Sequence, residues 1–239
     1  MDSVFAVTRV GLLADFARLA TQSLNLSNVD TVGYKRQLAV TSSFDARLDN
    51  VLPSGDTSMA ATTTLTDPRA GALKQTGRPL DLSLDGDGFF GVRTASGIRY
   101  TRRGDFAVEA SGRLVTAAGD AVLAGGGDVV LPGTAVTVDR DGKIFDGDRQ
   151  LTQLDIVQFA DPGRLQYVGG GLFDAAGQAP LATVTATRVR SGALEASNVQ
   201  PAHEMIGLLE VSREVQLTRS VLTARDEMLD SAANTLAQF

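Results

Sequence analysis

Cysteine and tryptophan are absent from this chain of 239 residues, and histidine occurs once. Without thiols there is no disulfide framework, no thiolate nucleophile and no Cys-ligated zinc or iron–sulfur centre. One histidine cannot assemble a multi-histidine site, so no metal and no cofactor is expected, and no catalytic residue is assigned. Chemistry by carboxylates, or by Ser and Lys, stays formally open. Lys and Arg number 22 against 28 Asp and Glu, a formal charge of −6. The adjacent basic residues are Lys35-Arg36 and Arg102-Arg103, which read as ordinary solvated surface. A phosphate backbone needs clustered basic side chains, so no nucleic-acid partner is expected. No run is long and apolar enough to span a bilayer, and the start lacks the basic, apolar and small-residue succession of a Sec signal. Neither direct membrane insertion nor Sec export is therefore expected.

What is present divides the chain into two similar ends and a different middle. Near the start, Phe5, Leu12, Phe16, Leu19 and Leu26 fall on a series stepping by four and three residues. That spacing places them on one stripe of a helix. From Pro201 onward a second such series carries Leu208, Val211, Val215, Leu222, Leu229 and Leu236, and Pro201 suits a first helical position. At 1.5 Å per residue this helix would run roughly 55 Å, and Gly207 inside it would weaken it by about 1 kcal/mol relative to Ala. The narrow two-in-seven seam is that of a coiled coil, so the two terminal helices are expected to pair with each other and with other subunits.

The 25 glycines gather in the middle, between segments of period two. Leu80, Leu82 and Leu84 alternate with Asp81, Ser83 and Asp85; Val136 and Val138 with Thr137 and Asp139; and Val184 sits among Thr183, Thr185 and Thr187. These read as half-buried strands. The segments VEASGRLV (108–115) and VDRDGKIF (138–145) match in type and read as two hairpins turning at Gly112 and Gly142. The fold class is α+β, with a discontinuous coiled-coil-like helical module from residues 1–35 and 200–239. A linker or extended arm covers 36–75, a β-rich outer domain 76–190 and a return connection 191–199.

Candidate sites are few. Asp85 and Asp87 share a Gly-rich turn, and paired carboxylates could serve a β-rich hydrolase. The same turn is expected for backbone reasons alone. Gly125-Gly126-Gly127 lacks the Lys-Ser/Thr of a phosphate loop, and His203, beside Glu204, has no nucleophile motif near it. A coiled-coil adhesin is a further reading of the terminal seams. Gly33 would supply a positive φ where the first helix stops. Asn198 precedes Pro201 and could hydrogen-bond the free amides that open the second helix.

Three segments, in order, resemble the flagellar basal-body rod and hook protein family: LSNVDTVGYK (26–35) after a heptad helix; GRPLDLSLDGDGFFGV (77–92) followed by RYTRRGDFAVEASGRLVTAAG (99–119); and ALEASNVQP (193–201) before the last helix. The resemblance implies that Asn28, Val29, Thr31, Gly33, Tyr34 and Lys35 form one family motif, and Ser197, Asn198, Val199 and Pro201 another. It implies a non-enzymatic part of the periplasmic rod of the basal body, transmitting motor torque. Its partners would be further copies, other rod proteins and the flagellar type III export apparatus. Arg78-Pro79-Leu80-Asp81 and the short chain look most like the proximal-rod branch, with the distal-rod branch as the alternative.

Overall fold

The structure is a computed structural model that describes residues 2–41, 62–133, 136–181 and 187–236, with side chains described except at 2–9, 226 and 229–236. The chain divides into two units. One comprises Met1–Leu26, Leu38–Thr64 and Pro201–Phe239, the other Ser27–Gln37 and Leu65–Gln200.

The first unit is built on α1 (Asp2–Ser27) and α2 (Pro201–Leu236). With 36 residues, α2 is about 54 Å long at 1.5 Å per residue. Asn25 Nδ2 donates to Glu204 at 3.2 Å, both residues being buried, and Arg18 Nη1 donates to Glu214 at 3.4 Å. As one partner's number falls the other's rises, so the helices run antiparallel. Gly207 lies between those contacts, and a Cβ there would stand 2.4 Å from the Gln22 amide nitrogen. The glycine that weakens α2 therefore sits where α1 comes close. Val211 is fully buried, while Leu208, Val215 and Leu222 are half-buried.

Apart from a 3-10 turn at Pro162–Arg164, the remaining elements among the described residues are strands. In chain order they are β1 (Gln37–Thr41), β2 (Thr62–Thr66), β3 (Leu73–Gln75), β4 (Leu82–Asp85), β5 (Phe89–Thr94), β6 (Gly97–Thr101), β7 (Ala107–Val108), β8 (Leu114–Val115) and β9 (Ala121–Ala124). Then follow β10 (Gly127–Asp128), β11 (Thr137–Val138), β12 (Lys143–Asp146), β13 (Arg149–Gln153), β14 (Ile156–Val157), β15 (Gln166–Gly169), β16 (Leu172–Asp174), β17 (Arg188–Ser191) and β18 (Ala193–Glu195). A nine-stranded sheet has the order β15-β16-β6-β5-β9-β8-β7, with β10 beside β9 and β14 beside β5. A meander β11-β12-β13 and the pairs β1-β2, β17-β4 and β18-β3 are separate sheets. The architecture is mixed α+β.

Period two explains the core. Phe90 points from β5 into a cluster with Leu82, Leu84, Val92, Phe106 and Ile144, whereas its neighbour Phe89 points the other way, among Phe159, Leu165 and Phe173. The two matching segments are hairpins of one design. Val108 pairs with Leu114 and Val138 with Ile144, and Gly112 and Gly142 take φ of 84° and 78°. Gly125 and Gly126 form the turn between β9 and β10.

Three expectations change. β4 is not half-buried: Asp81 and Ser83 are as enclosed as the leucines beside them. The chain at Gly104 lies so close to the Leu82 carbonyl that a Cβ would collide with it, which leaves no room for solvent there. Residues 36–75, read as an arm, hold β1, β2 and β3, with 42–61 outside the described residues. The stretch 191–199 holds β18, which pairs with β3. The strand expected around Val184 lies outside the described residues.

Candidate functional site

α1 stops at Ser27, and the next ten residues enter the β-rich unit by a turn in which Asn28 O accepts from Thr31 N at 3.2 Å and Asn28 Oδ1 from Thr31 Oγ1 at 3.1 Å. Gly33 then takes φ of 66° and donates its amide to the Glu195 carbonyl at 2.7 Å. That conformation suits a residue without Cβ. The turn delivers two fully buried side chains. Tyr34 stacks edge-on against Tyr167, ring centroids 5.1 Å apart, and Lys35 enters a polar clasp.

In the clasp, Lys35 Nζ donates to Glu195 Oε1 at 2.6 Å and to the Arg69 carbonyl at 2.8 Å. Glu195 Oε1 also accepts the Gly71 amide at 2.9 Å, and its Oε2 lies 3.4 Å from Arg102 Nη1. Arg102 Nη2 donates to Gly86 O at 2.8 Å, and its guanidinium stands 5.3 Å from the Phe89 ring centre. All three charged residues are buried. Burial pushes the Lys35 ammonium and the Arg102 guanidinium below their ordinary ranges, with Glu195 opposing both shifts. One carboxylate thus binds two buried cations and joins segments distant in sequence.

Asn198 completes the junction, though not as a helix cap. Its Oδ1 accepts the Arg36 amide at 2.6 Å, and its Nδ2 donates to Asp67 O at 3.2 Å and Arg69 O at 2.9 Å. A side-chain amide carries both an acceptor and donors, so it can satisfy two crossing backbones at once.

The arrangement is a fastening. It offers no nucleophile beside a base, and Asp85, half of the carboxylate pair weighed for a hydrolase, is bound to Arg190 at 2.7 Å. Comparison with known proteins gives the same direction. Residues 83–145 match the family described as flagellar hook protein FlgE/F/G D1 domain, and 190–236 that described as flagellar basal body rod FlgEFG protein C-terminal. The flagellar basal-body rod protein FlgF of Caulobacter vibrioides is 31% identical over 90% of this chain and 90% of its own length. FlgF of Salmonella typhimurium is 32% identical over 87% and 88%. The chain belongs to the flagellar basal-body rod protein family. FlgG of Bacillus subtilis, also named a rod protein, is 29% identical over 88% of this chain and 90% of its own length.

In this rod-family chain the expected motif residues converge within the β-rich unit: Gly33, Tyr34 and Lys35 meet the segment carrying Ser197, Asn198 and Val199. Val29 and Thr31 are half-buried, Ser197 Oγ accepts the Val199 amide at 3.2 Å, and Pro201 is the first residue of α2. His203 is exposed. On α1, Leu12, Leu19 and Leu26 are half-buried but Phe16 is 52% exposed. The side chains of Phe5, Leu229 and Leu236 lie outside those described.

Sequence reasoning missed two things in this family member. It took Lys35 and Arg102 as surface charges and passed over Glu195. The signal was the period of β18, where Ala193 and Glu195 share the buried face. It also read one apolar stripe on α2 where there are two. Ile206, Leu217, Val221 and Met228 fall within about 60° of one another at 100° per residue, about 140° round from Leu208, Val211, Val215 and Leu222. All four are more than half exposed, Leu217 and Val221 at 68%.

Proposed function

We infer that this chain is a structural subunit of the flagellar basal-body rod, joined to its neighbours through α1 and α2 in a helical shaft that carries torque. The observation that carries the reading is the second stripe on α2. Burying a large apolar side chain is worth about 1.5–3 kcal/mol, so a helix that leaves a row of them in water is built for a partner. Phe16 on α1 is a further large apolar side chain left exposed. The stripe of Leu208, Val211, Val215 and Leu222 packs within the subunit in a coiled-coil-like manner, and that of Ile206, Leu217, Val221 and Met228 faces the next one. The rod names of the relatives support an assembly in the basal body. Export through the flagellar type III apparatus and a position across the periplasm belong to the same reading.

Within the rod, the chain takes the proximal position, as FlgF-named relatives suggest at 31% and 32% identity. The distal position is the second reading, favoured by the FlgG-named relatives.

Changing Leu217→Asp together with Val221→Asp tests the helical contact. Both residues are exposed, so the isolated protein should keep its wild-type melting curve by circular dichroism. In the assembly each buried charge without a partner would cost several kcal/mol, and the variant should be absent from purified basal bodies. Incorporation at the wild-type level would reject the assigned face.

A further inference from the structure

We propose that the β11-β12-β13 meander joins two copies of this chain head to tail, the exposed Asp146–Asp148 turn of one copy seating in an arginine-lined cleft of the next; this rests on the rod-subunit reading. The cleft, about 590 Å³, opens beside β17, with Val189 and Ala193 among its apolar lining and Arg140, Arg188 and Arg190 on its wall. Val189 is buried, and the arginines at 188 and 190 flank it on the exposed face of the strand. Arg140 sits in the β11-β12 turn, pinned to β17 by the Val189 amide, which donates to its carbonyl at 2.9 Å.

The charges in the cleft are unevenly used. Arg190 is held by Asp85. Asp139, the other carboxylate there, accepts the amides of Asp141 and Lys143 on one oxygen, each at 2.9 Å. Among the described residues the side chains of Arg140 and Arg188 have neither a hydrogen-bond acceptor nor an ion-pair partner. Two unpaired guanidinium forks in one concavity suit a carboxylate, which they bind with parallel hydrogen bonds.

The complementary group lies at the other end of the same meander. β12 ends at Asp146, Gly147 turns with φ of 59°, and Asp148 leads into β13 at Arg149. Asp146 and Asp148 are exposed, and among the described residues neither has a side-chain partner. The two ends are separated by the four residues of β12, roughly 13 Å at 3.3 Å per residue. A contact between opposite ends of one sheet is heterologous, and repeating it without closure produces a filament rather than a closed dimer.

A charge exchange in the full-length protein tests this. One variant carries Arg140→Glu with Arg188→Glu, the other Asp146→Arg with Asp148→Arg, and each is produced in cells lacking the native chain. All four positions are exposed, so melting curves should match wild type. Each variant alone places like charges in contact, and its incorporation into purified basal bodies should fall at least about fivefold. Produced together they pair in alternation, and incorporation should recover. Normal incorporation of both variants alone would overturn the contact and leave the rod-subunit reading standing. Loss by the arginine variant only would assign the cleft to another protein's carboxylate, and failure of the mixture to recover would also reject the second copy. Absence of the wild-type chain from basal bodies would instead overturn the rod-subunit reading itself.

Discussion

Glu195→Ala should be among the most destabilising single changes in the β-rich unit, lowering its unfolding free energy by about 3–5 kcal/mol, the range for removing one partner of a buried ion pair. The reason is the imbalance of the clasp. Glu195 faces Lys35 at 2.6 Å and Arg102 at 3.4 Å, so its loss leaves two buried cations without a carboxylate. The Gly71 amide would lose its acceptor as well. Lys35→Met should be milder, because Arg102 and Glu195 remain as a neutral pair and the methionine fills most of the lysine volume. Urea unfolding followed by circular dichroism would give the order. A Glu195→Ala loss below about 1 kcal/mol, the scale of an exposed pair, would mean that the clasp is solvated.

Gly33→Ala should destabilise the same unit by about 3 kcal/mol or more, through two separable effects. A side chain at φ of 66° is strained by roughly 1–2 kcal/mol wherever it occurs. At this position the added Cβ would also stand 2.4 Å from the Arg102 carbonyl carbon and 2.5 Å from the Arg103 nitrogen. Those are backbone atoms and cannot rotate aside, so the turn would have to withdraw and take Tyr34 and Lys35 with it. Gly77 supplies the comparison: its φ is 74°, but nothing lies within 4 Å of a Cβ placed there. Gly77→Ala should therefore show the strain alone, about 1–2 kcal/mol. Equal losses at the two positions would remove the collision from the argument.

Much of the fold was legible in local pattern. The three-and-four spacing marked both terminal helices, and a glycine two residues before Leu114 and Ile144 marked the two hairpins, because a tight turn needs positive φ at that place. Burial on a second face was not legible. Asp81 and Ser83 alternate with leucines just as exposed residues would, and they are enclosed by partners distant in sequence: Asp105 bridges Asp81, Arg190 of β17 pairs with Ser83, and Gly104 lies against Leu82 between them. The clasp was hidden for another reason. Lys35 and Glu195 lie 160 positions apart, and no local periodicity pairs a particular lysine with a particular glutamate across such a distance. Asn198 was expected to meet the amides of a helix start, its neighbour in sequence, while its neighbours in space are Arg36, Asp67 and Arg69. On α2 the stripe legible in the sequence is the one with heptad spacing, whereas the second, at 206, 217, 221 and 228, steps by 11, 4 and 7 residues.

The chain's lack of cysteine makes the central claim directly measurable. With Val221→Cys as the sole thiol, a maleimide should label the free subunit rapidly, as its 68% exposure requires, and should fail to label it in intact basal bodies. Ile98→Cys, in the β-rich unit and half exposed, serves as the reference thiol. Protection of residue 221 on assembly is the expected result. Equal labelling of residue 221 in the free and the assembled protein would contradict the assignment of α2 to the subunit contact.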